Sequence, residues 1–363
     1  MLGTFIFAAR YAYSGMLAIE TVNLRKVYKV KTISGYAGEG PGGMLYGIYK
    51  ALTAKWRVVE ALRGVNLKVE RGSFHGLLGP NGSGKTTLLE ILATLRVPTE
   101  GRAFVMGYDT VRERSKVLEV IDYIPGILTG GAWVNGNLTG RQNLMIMAKM
   151  YGISKDKVDE VLSLVNLQEE ADRPAGTYSS GLYARLVIAL GLLREAQVML
   201  MDEPFAGISY ETRAELKEYL ARLSHEKGVT ILYSTHDLEE AEELCDSVSL
   251  MYRGRIIAAG SPRELISSLG KSKVIIIESS RVSRGTLSKL SSSSDFLDFD
   301  EELVNAERST YRMRIRVEEV EGILPKLIRF LIEEGCHIHH IRIKEPSLKD
   351  VFLHYAKGGE GAA

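Results

Sequence analysis

Residues 74–94 run FHGLLGPNGSGKTTLLEILAT: a short apolar strand, a glycine-rich loop and a helical stripe in immediate succession. The loop Gly79-Pro80-Asn81-Gly82-Ser83-Gly84-Lys85-Thr86 fits the pattern G-x-x-x-x-G-K-[ST], and Thr87 continues into the helix. Glycines without a Cβ let successive backbone N–H groups curl around phosphate oxygens, and the helix N-terminus adds a partial positive charge. In such a loop Lys85 reaches the β- and γ-phosphates and Thr86 offers its hydroxyl to Mg²⁺.

Downstream, Val198-Met199-Leu200-Met201 is a buried-strand pattern that ends in Asp202 and Glu203. Asp202 is expected to hold Mg²⁺, and Glu203 to polarise an attacking water as general base. An apolar run ending in two acids is weak evidence alone. Standing 117 residues after Lys85, it is strong.

The rest of the chain agrees with a soluble α/β protein. Its 363 residues carry a net charge of +1, with 45% apolar and 25% charged residues. That balance excludes dominant disorder and gives no overall attraction to nucleic acid or anionic lipid, so no nucleic-acid partner is expected. Two cysteines, Cys245 and Cys336, make no disulfide framework. No apolar stretch is long enough to span a bilayer. From residue 58 to about 260 short apolar runs (FHGLLG, AQVMLM, TILYST, SVSLMY) alternate with helical patterns, as in a doubly covered α/β domain. After about 261–272 the order becomes strand 273–278, strand 311–317, an amphipathic helix from Val320 to Leu331, strand 338–344 and a final helix after Pro346, which suggests a small α+β domain of ferredoxin-like type. Cys336-His337-Ile338-His339-His340 is read as strand, with His337 and His339 on one face and Cys336 and His340 on the other, too few same-face ligands for a metal site.

Two further segments resemble the ABC ATPase family. Tyr178-Ser179-Ser180-Gly181-Leu182 resembles its signature sequence, and Thr230-Ile231-Leu232-Tyr233-Ser234-Thr235-His236-Asp237 resembles its switch-histidine strand. The likeness covers roughly residues 18–270, with four motifs in the family's order. It implies a P-loop NTPase domain (17–265) with a helical subdomain at about 126–190, binding ATP and Mg²⁺, followed by the accessory domain at 270–357. It also implies a dimer in which Ser179, Ser180 and Gly181 meet the nucleotide held by the other subunit's phosphate loop, while His236 contacts the γ-phosphate within its own. Lys85, Glu203 and His236 are then the catalytic set, with Thr86 and Asp202 on the metal.

Family members stack an aromatic side chain on adenine. Trp56, 29 residues before Lys85, is preferred here, and Tyr28 is the alternative if the glycine-rich stretch at about 29–57 is an insertion. Residues 1–16 are expected to be a loose N-terminal extension, 358–363 a tail, and Leu45 to Trp56 a small helix. Three positions depart from the pattern. Gly126 stands where glutamine is usual, the nearest being Gln142 in a helix that begins near Thr139; Ser180 and Leu182 replace a glycine and a glutamine; and Ser209 replaces an aspartate. They leave open a homodimer or pairing with a second ABC ATPase subunit.

The ending Glu345-Pro346-Ser347-Leu348-Lys349-Asp350-Val351-Phe352-Leu353 resembles that of daunorubicin-type exporter ATPases, whose permease is a separate chain. The resemblance implies the ATP-hydrolysing subunit of a drug, antibiotic or lipid-like exporter, peripheral on the cytoplasmic face of the cell membrane, with Trp133 near the permease. Polysaccharide or O-antigen export, and a soluble non-transport ABC ATPase, are the alternatives.

Overall fold

The computed structural model describes residues 16–31, 56–126, 134–194, 196–270 and 272–358. Residues 1–15 of the expected extension, 32–55 of the expected insertion, Trp133 and the 359–363 tail lie outside the described residues. The chain forms two compact units: one runs through His236 and includes Met251–Ile256, and the other comprises Asp237–Leu250 and everything from Ile257 onward.

The first unit contains two sheets. In the antiparallel sheet, β1 (Leu17–Lys31) lies between β2 (Trp56–Val65) and β5 (Glu100–Val105), with β3 (Lys68–Glu70) also on β1 and β6 (Tyr108–Asp109) on β5. The second sheet is parallel, in the order β4 (Phe74–Leu78), β9 (Thr230–Thr235), β8 (Val198–Asp202), β7 (Ile121–Ile124). Every residue of β4, β8 and β9 is buried, which accounts for their unbroken apolar runs. Helix α1 (Lys85–Leu92) joins the two sheets through Leu88, Leu89, Ile91 and Leu92, which share one core with Ile19, Leu24 and Val105 on one side and Leu77, Leu200 and Leu232 on the other.

Helix α2 (Arg114–Val120) leads into β7. Helices α3 (Gly140–Tyr151), α4 (Lys155–Leu164) and α5 (Ser180–Leu192) pack on one another as a helical subdomain, and α6 (Tyr210–Lys227) connects β8 to β9. Thr139 caps α3 in a reciprocal capping box: its hydroxyl accepts from Gln142 N at 3.1 Å, and the Gln142 side-chain oxygen accepts from Thr139 N at 2.9 Å. Gln142 is thereby engaged in starting the helix.

Helix α7 (Leu238–Leu244) belongs to the second unit, and the turn joining β10 (Ser247–Tyr252) to β11 (Arg255–Gly260) belongs to the first. After α8 (Pro262–Ser267) come β12 (Lys273–Ser280), α9 (Arg284–Ser291), β13 (Asp298–Asn305), β14 (Thr310–Val317), α10 (Val320–Glu333) and β15 (His337–Lys344). This βαββαβ order, with the antiparallel sheet arranged β13-β14-β12-β15, is the ferredoxin-like arrangement. Ile275, Ile277, Met313 and Ile315 from the sheet pack with Leu327 and Leu331 of α10.

One expected strand face is corrected. A register shift between Glu278 and Ser279 sets His340 opposite Glu278 and His337 opposite Ser280, two positions of the same parity on β12. The bulge therefore turns His340 to the face of His337, whereas Cys336 is buried in the α10 core.

The last helix, α11 (Leu348–Gly358), is fixed by an ion pair. Asp350 accepts from Arg314 Nη2 through both oxygens, at 2.8 and 2.9 Å, and from Ser347 N and Oγ at 2.8 and 2.9 Å. Both partners are buried, and Leu348 and Val351 beside them are wholly inaccessible. Removing one member of such a pair strands a buried charge, at a cost of about 3–5 kcal/mol.

His75 sits in the centre of β4, opposite Leu232, and burial pushes its pKa down from 6.5 to about 4. The folded chain therefore holds it neutral. Its contribution to stability is complete above the unfolded pKa and is lost as pH falls from 6.5 towards 4. Between pH 7.5 and 5 this group alone should remove about 2 kcal/mol of unfolding free energy. Denaturant unfolding of His75→Leu across that range is expected to show a correspondingly shallower pH dependence than wild type; parallel curves would contradict the assignment.

Candidate active site

The phosphate-type loop is held open by backbone contacts that only glycine permits. A Cβ on Gly79 would lie 2.1 Å from the Met251 carbonyl oxygen, and one on Gly84 would lie 2.5 Å from the Ala61 carbonyl. Gly84 also has φ +110° as the residue preceding α1. Gly82 has φ +80°, but its missing Cβ points into open space. The loop is anchored at three further places: Gly79 N donates to Thr235 O at 3.3 Å, Ser83 N to Pro80 O at 3.2 Å, and Gly254 N to Ser83 O at 2.9 Å. Pro80, Asn81 and Gly82 are exposed, whereas Ser83 is buried and its hydroxyl has no partner. Thr86 and Thr87 are half-buried in the first turn of α1.

Lys85 is 5% exposed and donates to the loop's own carbonyls, Gly79 O at 2.7 Å and Pro80 O at 3.3 Å. Burial lowers its pKa, and the carboxylates of Glu203 and Asp202 oppose that shift. Its Nζ lies 3.4 Å from Glu203 Oε1. On the other side of the same carboxylate, His236 Nδ1 lies 3.1 Å from Glu203 Oε2. Lys85, Glu203 and His236 are thus one contiguous row, with the imidazole largely exposed and the ammonium buried. Asp202, the last residue of β8, is buried beside them and accepts from Ser234 Oγ at 2.5 Å.

Parallel pairing explains the convergence. Asp202 is in register with Ser234, and Leu78 with Thr235, so β4, β8 and β9 end at one level, where loops of such sheets carry ligands. Glu203 follows with φ +43°, a left-handed turn that a residue with a side chain adopts only when held. Its N–H is shared between Ser234 O at 3.1 Å and Ser234 Oγ at 3.2 Å.

Ser179, Ser180 and Gly181 are not part of this cluster. Ser179 caps α5, accepting from Leu182 N at 3.4 Å, and both serines are exposed. A Cβ on Gly181 would come within 2.8 Å of Gly207 O, in the turn after β8, so this glycine is required by packing. Ser180 occupies the first helical position, where no left-handed backbone demands glycine. Ser209 precedes α6; its hydroxyl donates to Thr212 Oγ1 at 3.1 Å and receives Arg185 Nη2 of α5 at 3.4 Å. Gly126 lies against Asp202: an added Cβ would stand 3.1 Å from its carbonyl oxygen, tighter than a longer side chain accepts without displacement.

The two aromatic candidates are both on the β1–β2 hairpin. Trp56 opens β2 opposite Lys31 and is 62% exposed. Tyr28, opposite Val59, has Lys26 Nζ 5.2 Å and Arg96 Cζ 5.5 Å from its ring centre.

The family described as "ABC transporter" matches residues 62–206, and "ATP-binding protein DrrA1-3-like, C-terminal domain" matches residues 260–356. The daunorubicin resistance ATP-binding protein DrrA3 of Streptomyces coeruleorubidus is 33% identical over 300 residues, 81% of this chain and 90% of that one. The chain belongs to the ABC transporter ATP-binding proteins. The linearmycin resistance ATP-binding protein LnrL of Bacillus subtilis (strain 168) is a second relative of this ABC ATPase, 29% identical over 80% of the chain and 92% of LnrL. The dimeric post-hydrolysis structure of the ATP-binding cassette MJ0796 bound to ADP and Pi shares the fold, with TM-score 0.55 at 22% identity over 67% of this chain and 98% of that one.

The two loop glycines predict different costs in this ABC ATPase. Gly82→Ala should cost about 1–2 kcal/mol, for its left-handed backbone alone. Gly79→Ala, driven into the Met251 carbonyl, should cost clearly more. Denaturant unfolding without nucleotide measures both, and equal losses would contradict the packing account.

Proposed function

We propose that this ATPase powers export of a drug-, antibiotic- or lipid-like compound through a separate permease, working peripherally on the cytoplasmic face of the cell membrane. The observation that carries the reading is the intact row Lys85–Glu203–His236 beside Asp202, joined to a ferredoxin-like second unit that ends in the Ser347–Asp350 helix start. That unit matches the DrrA1-3-like C-terminal domain, and two relatives over most of the chain are named for daunorubicin and linearmycin resistance. Among the described residues no helix is long and apolar enough to cross a membrane, which suits a motor that acts through another chain. On this reading the ATPase domain spans 17–265 and the accessory domain 270–357.

The residues fit a nucleotide triphosphate with a divalent cation. Ser83 Oγ is a buried hydroxyl without a partner, the Gly82 side of the loop opens on free space, and Lys85 bonds only loop carbonyls and Glu203. Lys85 and the backbone N–H groups of the 79–87 loop, all but Pro80, which has none, would bind the phosphates. Thr86 and Asp202 would hold Mg²⁺, which neutralises charge on the phosphate oxygens. Glu203 would accept the proton of the attacking water, and His236, bonded to the same carboxylate, would orient it and meet the γ-phosphate. Trp56, 62% exposed at the start of β2, is our choice for adenine, with Tyr28 as the alternative.

Exposed Ser179 and Ser180, with half-buried Gly181 beside them, suit a site completed by a second subunit, whether an identical copy or another ABC ATPase. A groove of about 210 Å³ lined by Leu95, Leu118, Tyr123, Met147, Tyr151 and Leu190, beside the helical subdomain, is the surface we assign to the permease. The α+β second unit gives no support to polysaccharide export, for which a β-sandwich is the expected ending.

Glu203→Gln removes the base and keeps the shape. It should lower Mg²⁺-ATP turnover by about 10²–10⁴-fold and accumulate an ATP-bound dimer on size exclusion. Wild-type turnover in that variant would refute the role of Glu203.

A further inference from the structure

After Ile231-Leu232-Tyr233, β9 continues with Ser234, which is wholly inaccessible to solvent. Among the described residues its hydroxyl bonds only to the two acids of the site. Ser234 Oγ donates to Asp202 Oδ1 at 2.5 Å and accepts from Glu203 N at 3.2 Å, while Ser234 O accepts from the same N–H at 3.1 Å. The flanking residues of β9 serve the same centre: Thr235 O accepts from Gly79 N at 3.3 Å, and His236 Nδ1 lies 3.1 Å from Glu203 Oε2.

We infer that Ser234 is a positioning residue for the metal: its hydroxyl fixes the rotation of the Asp202 carboxylate, so that Oδ2 alone is left for the divalent cation. Asp202 is 4% exposed, with the Lys85 ammonium as a charged neighbour, and its Oδ2 makes no hydrogen bond among the described residues. Gly126 flanks that second oxygen, with the position of an added Cβ 4.0 Å from Oδ2. A carboxylate with one oxygen tied by a short O–H donor cannot rotate freely about Cβ–Cγ, and a partner behind a metal ligand typically changes metal affinity 10- to 100-fold when removed. The shared Glu203 N–H gives the same hydroxyl a hold on the left-handed turn that aims the general base.

The inference rests on Asp202 as a metal-side acid, and the test separates the two claims. Ser234→Thr and Ser234→Val are isosteric, so any cost of the added methyl group is common to both and only the hydroxyl differs. Mn²⁺ affinity is measured by electron paramagnetic resonance in the presence of a non-hydrolysable ATP analogue. Binding of a fluorescent ATP analogue in EDTA gives the metal-free control. Ser234→Thr should bind Mn²⁺ within about threefold of wild type and Ser234→Val at least about tenfold more weakly, with metal-free nucleotide binding equal in both. Equal Mn²⁺ affinity in the Thr and Val variants, with Asp202→Asn weakened, would overturn the role of Ser234 alone. Equal affinity in wild type and Asp202→Asn would overturn the assignment of Asp202 and the proposal with it. A Val variant that loses metal-free nucleotide binding by the same factor would reduce Ser234 to a structural residue.

Discussion

Glu203 meets an ammonium on one side and an imidazole on the other because three parallel strands end at the same level. The pairing of β8 on β9 and of β9 on β4 puts Asp202, Ser234 and Leu77 in one row. Backbone hydrogen bonds therefore set the distances among groups that lie far apart in sequence. Side chains only complete what the register prepares. A slip of one residue in β9 would withdraw Ser234 from Asp202, Thr235 from Gly79 and His236 from Glu203 together.

The glycines divide by the same logic. A Cβ added to Gly79 or Gly84 would meet neighbouring backbone at 2.1 or 2.5 Å, and one on Gly181 the turn after β8 at 2.8 Å. Gly82 faces open space, so it is the loop position free to approach a ligand. Where the sequence departs from the family pattern, the substitutes have local partners: Ser209 links α5 to α6 through Arg185 and Thr212, and Gly126 accommodates the Asp202 carbonyl. Lys85 and Glu203 stand together beside Asp202, and the changes fall on the elements around them.

Much of this was legible in the sequence because the signals are local. The loop and helix at 79–94, the apolar strand ending in two acids, and the βαββαβ order of the second unit all follow from patterns within a few residues. What was not legible depends on pairing across long separations. Ser234 reads as an ordinary strand residue until β8 is placed beside it. The bulge opposite Ser279 reverses the side of His340, and no pattern within β15 announces it. Arg314 and Asp350 are 36 residues apart, so the reason for the aspartate in the closing motif emerged only with the buried ion pair. Gln142 shows the opposite case, since its spacing from Thr139 already spelled a capping box.

On the proposed reading this chain carries a phosphate and metal site whose turnover needs the exposed α5 start of a second subunit. Steady-state phosphate release by the purified chain with Mg²⁺ and saturating ATP, measured over a hundredfold range of protein concentration, tests it most directly. The account predicts Mg²⁺-dependent hydrolysis whose rate per molecule rises with concentration and levels off once the subunits are paired. A rate per molecule that stays constant across the range while the chain remains monomeric would contradict it.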